Sequence, residues 1–172
     1  MGRDKALLPY RGSTLLEHAL ATALTVTDDV CILSGPTRRY EDHGVPVVED
    51  AICGGGPIGG LYSALLSASI DGRGRMFWLG VDMPLVPASL LARLVEGLDG
   101  ADVVMARTTR GLEPMCAAFR TVPAVERVRG ALIEGRLKLT SALQGLTLHA
   151  IDADDGDLAN VNSPAEYSKL QG

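Results

Sequence analysis

The segment RMFWLGVDMP, residues 75–84, decides the class of fold because it joins an apolar run to an acidic turn. The run Arg75–Val81 is apolar on both faces of an extended chain, which is typical of a strand covered by helices on both sides. Shorter apolar runs lie before and after it, separated by amphipathic segments. This alternation predicts an α/β protein of the three-layer α/β/α, Rossmann-like kind, with a mostly parallel sheet.

Helices and strands are expected to alternate along the chain. The helices are predicted at Ser13–Thr25, Pro57–Ser69, Pro87–Leu98, Val122–Gly135, Leu137–Leu143 and from Ser163 onward. The strands are predicted at Asp29–Ser34, Val45–Glu49, Arg75–Val81, Val103–Ala106, Met115–Phe119 and Leu146–Ile151. Capping boxes at Thr14–Glu17 and Ser163–Glu166 mark the starts of the first and last helices.

Length and charge limit the classes of protein that the chain can represent. Its 172 residues suit one domain, 1–172. A net charge of −5 leaves no basic face for a nucleic-acid partner. Without an apolar run of ~18 residues, a membrane partner is not expected. The three cysteines form no CxxC pair, so we expect free thiols and a cytoplasmic protein.

Two aspartates follow predicted strands at the edge where open α/β sheets bind ligands. Asp82 follows the strand quoted above, and Pro84 then turns the chain away. Its carboxylate could hold Mg²⁺ together with substrate phosphates, or it could accept hydrogen bonds from the amides of a turn. Asp50 ends the second strand, and it is either a ligand contact or a solvated turn residue.

The glycine-rich segment GGGPIGG, residues 54–60, leads into a helix and allows close approach of the backbone to an anion. It could equally be a flexible connection. No Lys-Ser/Thr follows, so it is not a GxxxxGK[ST] phosphate loop. Gly54, Gly56 and Gly59 do match GxGxxG, so an NAD(P)-linked oxidoreductase is an alternative. The four residues Asp50–Cys53 lie between the end of the strand and the first glycine, and they count against that alternative because the dinucleotide fingerprint turns tightly out of its strand.

Single polar residues near the two ends of the chain are ambiguous on their own. Lys5 precedes an apolar stretch, and most lysines are solvated surface charges. Asn160 and Asn162 are two residues apart, so in an extended segment both amides point to one side and could bind a polar heterocycle. The alternative is a local turn before a helix that Ser163 caps.

Taken in order, five blocks of this sequence resemble the molybdenum cofactor guanylyltransferases, which are MobA-like nucleotidyltransferases. The blocks are MGRDKALL at 1–8, VVED at 47–50, GPIGG at 56–60, VDMPLVP at 81–87 and NVNSP at 160–164. The resemblance implies a sugar-nucleotide-transferase-like α/β fold. It also implies transfer of GMP from GTP to the terminal phosphate of molybdopterin, or its molybdenum-loaded form, with release of pyrophosphate.

The resemblance also implies a role for each matching residue. Lys5 would bind the GTP phosphates and Asp82 would bind Mg²⁺ and the nucleotide, which makes these two the catalytic residues. The remaining nucleotide contacts would be Asp50, Gly56, Pro57, Gly59 and, by a looser match, Ser34. Asn160 and Asn162 would face the pterin. The implied partners are GTP, molybdopterin, and proteins that deliver molybdopterin or accept the finished cofactor.

The sequence departs from the family pattern at its start. Family members open with a strand and a loop of the form LAGGxSxRMG, whereas this chain begins with the last two residues of that motif, Met1 and Gly2. We expect that ~15–20 residues of strand and loop precede it in a longer natural protein, and that the short form transfers GMP weakly or not at all. A relative that uses CTP or another nucleotide, or a non-catalytic homologue, is a further alternative.

Overall fold

The computed structural model describes residues 4–52 and 54–171. The first three residues of the resembling block at 1–8, and Cys53, lie outside them. The helices are α1 (Leu15–Leu24), α2 (Gly56–Ile70), α3 (Ala88–Glu96), α4 (Thr121–Ile133), α5 (Leu139–Ala142) and α6 (Pro164–Gln171). The strands are β1 (Pro9–Tyr10), β2 (Ser13–Thr14), β3 (Ile32–Leu33), β4 (Val47–Val48), β5 (Arg75–Leu79), β6 (Val103–Thr108), β7 (Gly111–Arg120) and β8 (Leu148–Asp152). Within the described ranges, no helix has the length and apolar character needed to cross a membrane.

The main sheet has four strands in the order β5-β7-β6-β8. Strand β7 is antiparallel to β5 and β6, whereas β6 and β8 are parallel. Strands β5, β6 and β8 therefore run in one direction, and β7 alone runs against them. The predicted α/β class is confirmed, but the sheet is mixed. The reason is the short turn between Thr108 and Gly111, since a tight hairpin can join only antiparallel strands.

Two smaller strand pairs complete the described structure. Strands β3 and β4 are parallel and pair over two residues each, so both are shorter than the predicted runs. Strands β1 and β2 form a hairpin that the sequence did not predict. Its turn places Arg11 and Gly12 at φ values of 47° and 84°. Positive φ at both central residues matches the twist of a two-residue hairpin. Gly12 was the feature of the sequence from which this turn could have been predicted.

Helices cover the main sheet on both faces, which gives the three predicted layers. Helices α2 and α4 contribute to one buried cluster, in which Ile58, Leu65 and Val128 meet Met105 and Phe119 of the sheet. The second cluster lies on the opposite face, where α3 packs against other side chains of β6 and β7. A third, smaller cluster joins the start of the chain to β3 and β4.

The predicted capping box at α1 is confirmed, and Ser163 caps α6 through its hydroxyl. The Thr14 hydroxyl accepts the Glu17 amide at 3.2 Å, and the Glu17 carboxylate accepts the Thr14 amide at 2.7 Å. These bonds hold the Glu17 pKa below its ordinary value, the backbone bond from Thr14 contributing most. At α6 the Ser163 hydroxyl accepts the Glu166 amide at 3.2 Å, whereas the Glu166 carboxylate accepts the Ser163 hydroxyl and the Asn162 amide. Local polar spacing thus fixes where these two helices begin.

Replacing the first of these caps should destabilise α1 without touching the sheet. We expect Thr14→Ala to lower the free energy of unfolding by about 1 kcal/mol, because it leaves a helix N-terminal amide without its acceptor. Urea denaturation followed by circular dichroism measures the loss. Thr14→Ser, which keeps the hydroxyl, is the control. Equal stability of the alanine variant and the parent chain would contradict the assignment.

Candidate active site

Three of the residues singled out in the sequence meet at one point, although 157 positions separate the outermost two. The Lys5 ammonium lies 2.9 Å from Oδ2 of Asp82 and 2.8 Å from Oδ1 of Asn162. The Lys5 and Asp82 side chains are only 28% and 24% exposed. Their ion pair is therefore partly shielded from water, and it lies just beyond the carboxyl end of β5.

The backbone around Asp82 holds its carboxylate in place. The Met83 amide donates to the Gly80 carbonyl at 3.1 Å, which closes a turn directly after β5. The Val161 amide donates to the Asp82 carbonyl at 2.8 Å, which attaches the segment 160–162 beside this turn. A Cβ atom at Gly80 would lie 2.7 Å from Oδ1 of Asp82. Glycine at this position therefore provides the space that the carboxylate occupies.

The turn that carries Lys5 is anchored by its neighbour, Asp4. Lys5–Leu7 form a 3₁₀ turn, and the Asp4 carboxylate accepts the Ala6 amide at 3.1 Å. The other oxygen of Asp4 accepts hydrogen bonds from Arg39 at 2.9 Å and from the Tyr40 hydroxyl at 2.6 Å. Burial, and then the bond to Asp4, raises the pKa of Tyr40 to about 12. The Lys5 turn is thus joined to the connection between β3 and β4.

Sequence reasoning missed these supporting residues. Asp4 stands inside the block at 1–8, but the sequence assigned it no role. Its position next to Lys5 was the feature from which a supporting role could have been predicted. Arg39 and Tyr40 stand in the loop between β3 and β4. Their role depends on contacts with Asp4 that exist only in the folded protein. Gly80 carried a weak signal, since a glycine in an apolar strand indicates close approach of another group.

Asp50 and Ser34 lie side by side at the ends of β4 and β3. The Asp50 amide donates to the Gly35 carbonyl at 2.9 Å. Oδ1 of Asp50 is buried and accepts no hydrogen bond from the described residues. Burial raises the pKa of this carboxyl above its ordinary value. Ser34 is only 2% exposed, and its carbonyl accepts from Arg39 at 3.0 Å.

The glycine-rich segment forms the entrance to α2. Gly56 begins the helix, Pro57 stands exposed in its first turn, and Gly59 is buried. A Cβ atom at Gly59 would lie 3.3 Å from the Ile52 carbonyl, so the loop packs tightly on the helix. Ser63 fixes this contact by accepting the Ala51 amide and donating to the Gly59 carbonyl, both at 2.8 Å. These contacts attach the end of the loop at Ala51 and Ile52 to the first two turns of α2.

The two asparagines differ in environment. Asn162 is exposed and contacts Lys5, whereas Oδ1 of Asn160 is buried and has no hydrogen-bond partner among residues 4–52 and 54–171. Glu166 accepts the Asn162 amide at 2.8 Å, and this bond is the largest cause of its lowered pKa. The segment is thus held between α6 and Asp82, and Asn162 belongs to the Lys5–Asp82 centre.

The donor set at this centre fits a divalent cation whose remaining ligands are oxygens of a phosphate substrate. Within the described ranges, no group of three or more His, Cys, Asp or Glu residues could hold a metal by itself. Asp82 supplies one carboxylate, and Mg²⁺ is commonly bound by one or two carboxylates together with substrate phosphates. Asp82 is the residue of this centre that would hold such a cation.

Comparison with known proteins identifies the family. The model of the MobA-like NTP transferase domain matches residues 1–146. A probable molybdenum cofactor guanylyltransferase of Mycobacterium ulcerans is 31% identical, over 96% of this chain and 84% of its own length. A protein of the same description from Carboxydothermus hydrogenoformans is 27% identical, over 99% of this chain and 88% of its own.

A solved structure agrees with that assignment at the level of the fold. Molybdopterin-guanine dinucleotide biosynthesis protein A from Archaeoglobus fulgidus superposes with a TM-score of 0.77 at 20% identity, over 98% of this chain and 89% of the other. The chain belongs to the MobA-like NTP transferase family, and it is a nucleotidyltransferase. The oxidoreductase alternative is set aside, since β4 ends at Val48 and α2 begins only at Gly56, which is not the tight dinucleotide-binding turn.

Replacing Asp50 should stabilise the free protein while weakening ligand binding. Burial raises the pKa of Asp50, so above pH ~4 the folded state binds more protons than the unfolded state. The free energy of unfolding therefore falls as the pH rises through this range. We expect Asp50→Asn to raise the melting temperature at pH 7 above that of the parent chain, and to lose this gain near pH 4. Thermal melts across that range measure it.

Asp152→Asn is the matched control. The ion pair with Arg107 lowers the Asp152 pKa, so this substitution should lower the melting temperature at pH 7 instead of raising it. A melting temperature of Asp50→Asn that stays at or below the parent value at pH 7 would contradict the unpaired state of this carboxylate.

A methyl group at position 80 should displace the Asp82 carboxylate. We expect Gly80→Ala to reduce nucleotide transfer roughly a hundredfold, because misplacing a reacting group by ~1 Å has an effect of that size. Assays of pyrophosphate release with a folded variant measure it. Gly74→Ala at the start of β5 is the control, since a Cβ atom there meets no atom within 4 Å. Similar losses in both variants would count against the role of Gly80.

Proposed function

We propose that the protein transfers GMP from GTP to the terminal phosphate of molybdopterin. One observation carries the proposal, namely the meeting of Lys5, Asp82 and Asn162 beyond the end of β5. These residues come from three of the five blocks that resemble the guanylyltransferases. The names of the two relatives support the choice of GTP and molybdopterin. Proteins that deliver molybdopterin or accept the finished cofactor are part of the proposal only through the resemblance in sequence.

The reaction needs neutralisation of charge more than it needs proton transfer. An oxygen of the molybdopterin phosphate forms a bond to the α-phosphorus of GTP, and the bond from that phosphorus to the pyrophosphate oxygen breaks. The attacking oxygen is already ionised near neutral pH, so no general base is required. Catalysis then depends on positioning and on stabilising the negative charges that are brought together.

Lys5 and Asp82 are arranged to exchange partners when the nucleotide binds. In the free protein each neutralises the other across 2.9 Å. An incoming triphosphate offers Lys5 a stronger set of acceptors, and the Asp82 oxygen released from Lys5 can then share Mg²⁺ with the phosphates. Mg²⁺ would supply Lewis-acid stabilisation of the phosphoryl oxygens. Asn162 keeps a polar contact with Lys5 and limits the movement of its side chain.

The nucleoside would extend from this centre towards β3, β4 and the start of α2. The unpartnered Asp50 Oδ1 is an acceptor for the hydroxyl or amine donors of a nucleoside. The shaped turn at Gly56, Pro57 and Gly59 lies on the same side as Asp50, with Gly60 close to its carboxylate. Ser34 lies beside Asp50 with its side chain buried and its amide donating to the Val48 carbonyl. Its carbonyl, which already accepts from Arg39, is the group that could add a contact. Asn160 and Asn162 would border the pterin side.

Substitution of the two central residues tests the proposal. With GTP, Mg²⁺ and molybdopterin, we expect Asp82→Asn to lower pyrophosphate release a hundredfold or more, roughly the effect of losing one group that stabilises transition-state charge. Lys5→Ala should weaken binding of GTP with Mg²⁺ by roughly ten- to a hundredfold, as expected for a charged hydrogen bond. Calorimetric titration and pyrophosphate release measure the two effects.

Asp152→Asn and Lys138→Ala are exposed controls that should bind and react as the parent chain does. Pyrophosphate release with CTP but not with GTP would mean that the nucleotide donor is CTP. Binding of GTP without any release of pyrophosphate would favour a non-catalytic homologue.

A further inference from the structure

The hairpin that joins β6 and β7 stands beside the Lys5–Asp82 centre. A Cβ atom at Gly80 would lie 2.7 Å from Oδ1 of Asp82 and 3.3 Å from Cβ of Met115, so these two atoms lie within about 6 Å of each other. Glu113 stands two residues before Met115, and two residues of chain span at most ~7 Å. The β7 end of the hairpin is therefore close to the carboxylate of the candidate active site.

A second connection joins the tip of the hairpin to the same carboxylate-bearing turn. The Arg110 guanidinium donates to the Leu158 carbonyl at 3.0 Å. The Val161 amide, three residues further along the chain, donates to the Asp82 carbonyl at 2.8 Å. Three residues of extended chain span ~10 Å, so the segment 158–161 joins the hairpin tip to Asp82 over the length of a small two-ring substrate.

The pairing of β6 with β7 changes register within this hairpin. Met105 pairs with Ala117, but the next residue, Ala106, pairs with Glu113, so β7 has three more residues than β6 between these two pairs. A bulge bends its strand and changes the direction of the side chains, and bulges are common beside active sites. Glu113 is the residue at which this irregular stretch ends.

Glu113 is shielded from water but lacks the partners that a carboxylate normally has. Its side chain is only 17% exposed. The Arg110 guanidinium approaches it to 3.8 Å, which is too far for a hydrogen bond. Within the described part of the chain, no group donates a hydrogen bond to this carboxylate. Shielded carboxylates are normally hydrogen-bonded, so Glu113 has acceptor capacity for a ligand.

Arg110 supplies donors next to this acceptor. Its side chain is 53% exposed, and the Leu158 carbonyl uses one of its N–H groups. A guanidinium has five N–H donors, so most of them are free for a ligand. A phosphate is disfavoured at this place because the Glu113 charge repels it. An uncharged ring that carries donors and an acceptor side by side fits the pair better.

On the basis of the proposed function, we infer that Glu113 and Arg110 recognise the pterin ring of the acceptor substrate. One edge of a pterin carries a 2-amino group, an N3–H group and a 4-oxo group in a row. The Glu113 carboxylate accepts from the first two groups, and Arg110 donates to the third. Asn160 belongs to the segment that joins this subsite to Asp82, and its buried Oδ1 has no hydrogen-bond partner among the described residues. The phosphate end of the same substrate reaches Asp82 over ~10 Å.

A pterin with a phosphomonoester on its side chain, compared with the corresponding lumazine, tests the role of Glu113. The lumazine has oxygen in place of the 2-amino group, and quenching of the fluorescence of each compound measures its binding. We expect the parent chain to bind the pterin at least roughly tenfold more tightly than the lumazine, and Glu113→Gln to lose this preference, because the charged acceptor for the amino group is gone. Equal binding of the two compounds by the parent chain, or an unchanged preference in Glu113→Gln, would overturn the inference.

Two further variants separate this role from a general loss of structure. Arg110→Met should weaken binding of both compounds roughly tenfold without changing the preference, since both carry the 4-oxo group. Glu126→Gln, which removes an exposed ion pair with Arg129 on α4, should leave both affinities unchanged. An equal loss of preference in Glu126→Gln and Glu113→Gln would contradict a site at Glu113.

Two measurements with the nucleotide distinguish the subsite from the reaction. Glu113→Gln should bind GTP with Mg²⁺ as the parent chain does, and it should raise the KM for molybdopterin at least roughly tenfold. A pterin preference that depends on Glu113, in a chain that releases no pyrophosphate, would support the subsite and reject the proposed reaction. Pyrophosphate release that Glu113→Gln leaves unchanged at every concentration of molybdopterin would support the reaction and overturn the subsite.

Discussion

The ion pair between Lys5 and Asp82 is the contact on which the site depends. It joins the first described turn of the chain to the end of the strand that carries Trp78, and Asn162 adds the segment before α6 to the same point. Each charge is partly removed from water, so each needs the other while no ligand is bound. A triphosphate that enters together with a divalent cation can replace the pair without leaving either group unpaired, and this is the physical basis for the proposed exchange of partners.

Much of this arrangement could be predicted from local sequence. Apolar runs and amphipathic segments gave the α/β class and the approximate position of most elements, and the capping boxes fixed the starts of α1 and α6 closely. The position of Asp82 followed from a general rule, because side chains after parallel strands meet at one edge of a sheet. The resemblance in five blocks gave the family, and the family comparison confirmed it.

Other features depend on contacts between distant residues, and the sequence carries little trace of them. Strand β7 reverses because of a short turn that an apolar pattern does not reveal. Asp4, Arg39 and Tyr40 form their anchor only after β3 and β4 pair. The half-buried state of β5 could not be predicted either, since its sequence is that of a central strand while its described surroundings leave one edge open.

A crystal structure with GTP and Mn²⁺ in place of Mg²⁺ tests the central claim most directly. The anomalous signal of manganese locates the cation independently of any modelling choice. The account predicts one peak within ligand distance, about 2.0–2.3 Å, of an Asp82 carboxylate oxygen, with the triphosphate against the Lys5 ammonium. A cation or triphosphate bound elsewhere, with the ion pair between Lys5 and Asp82 still intact, would contradict it.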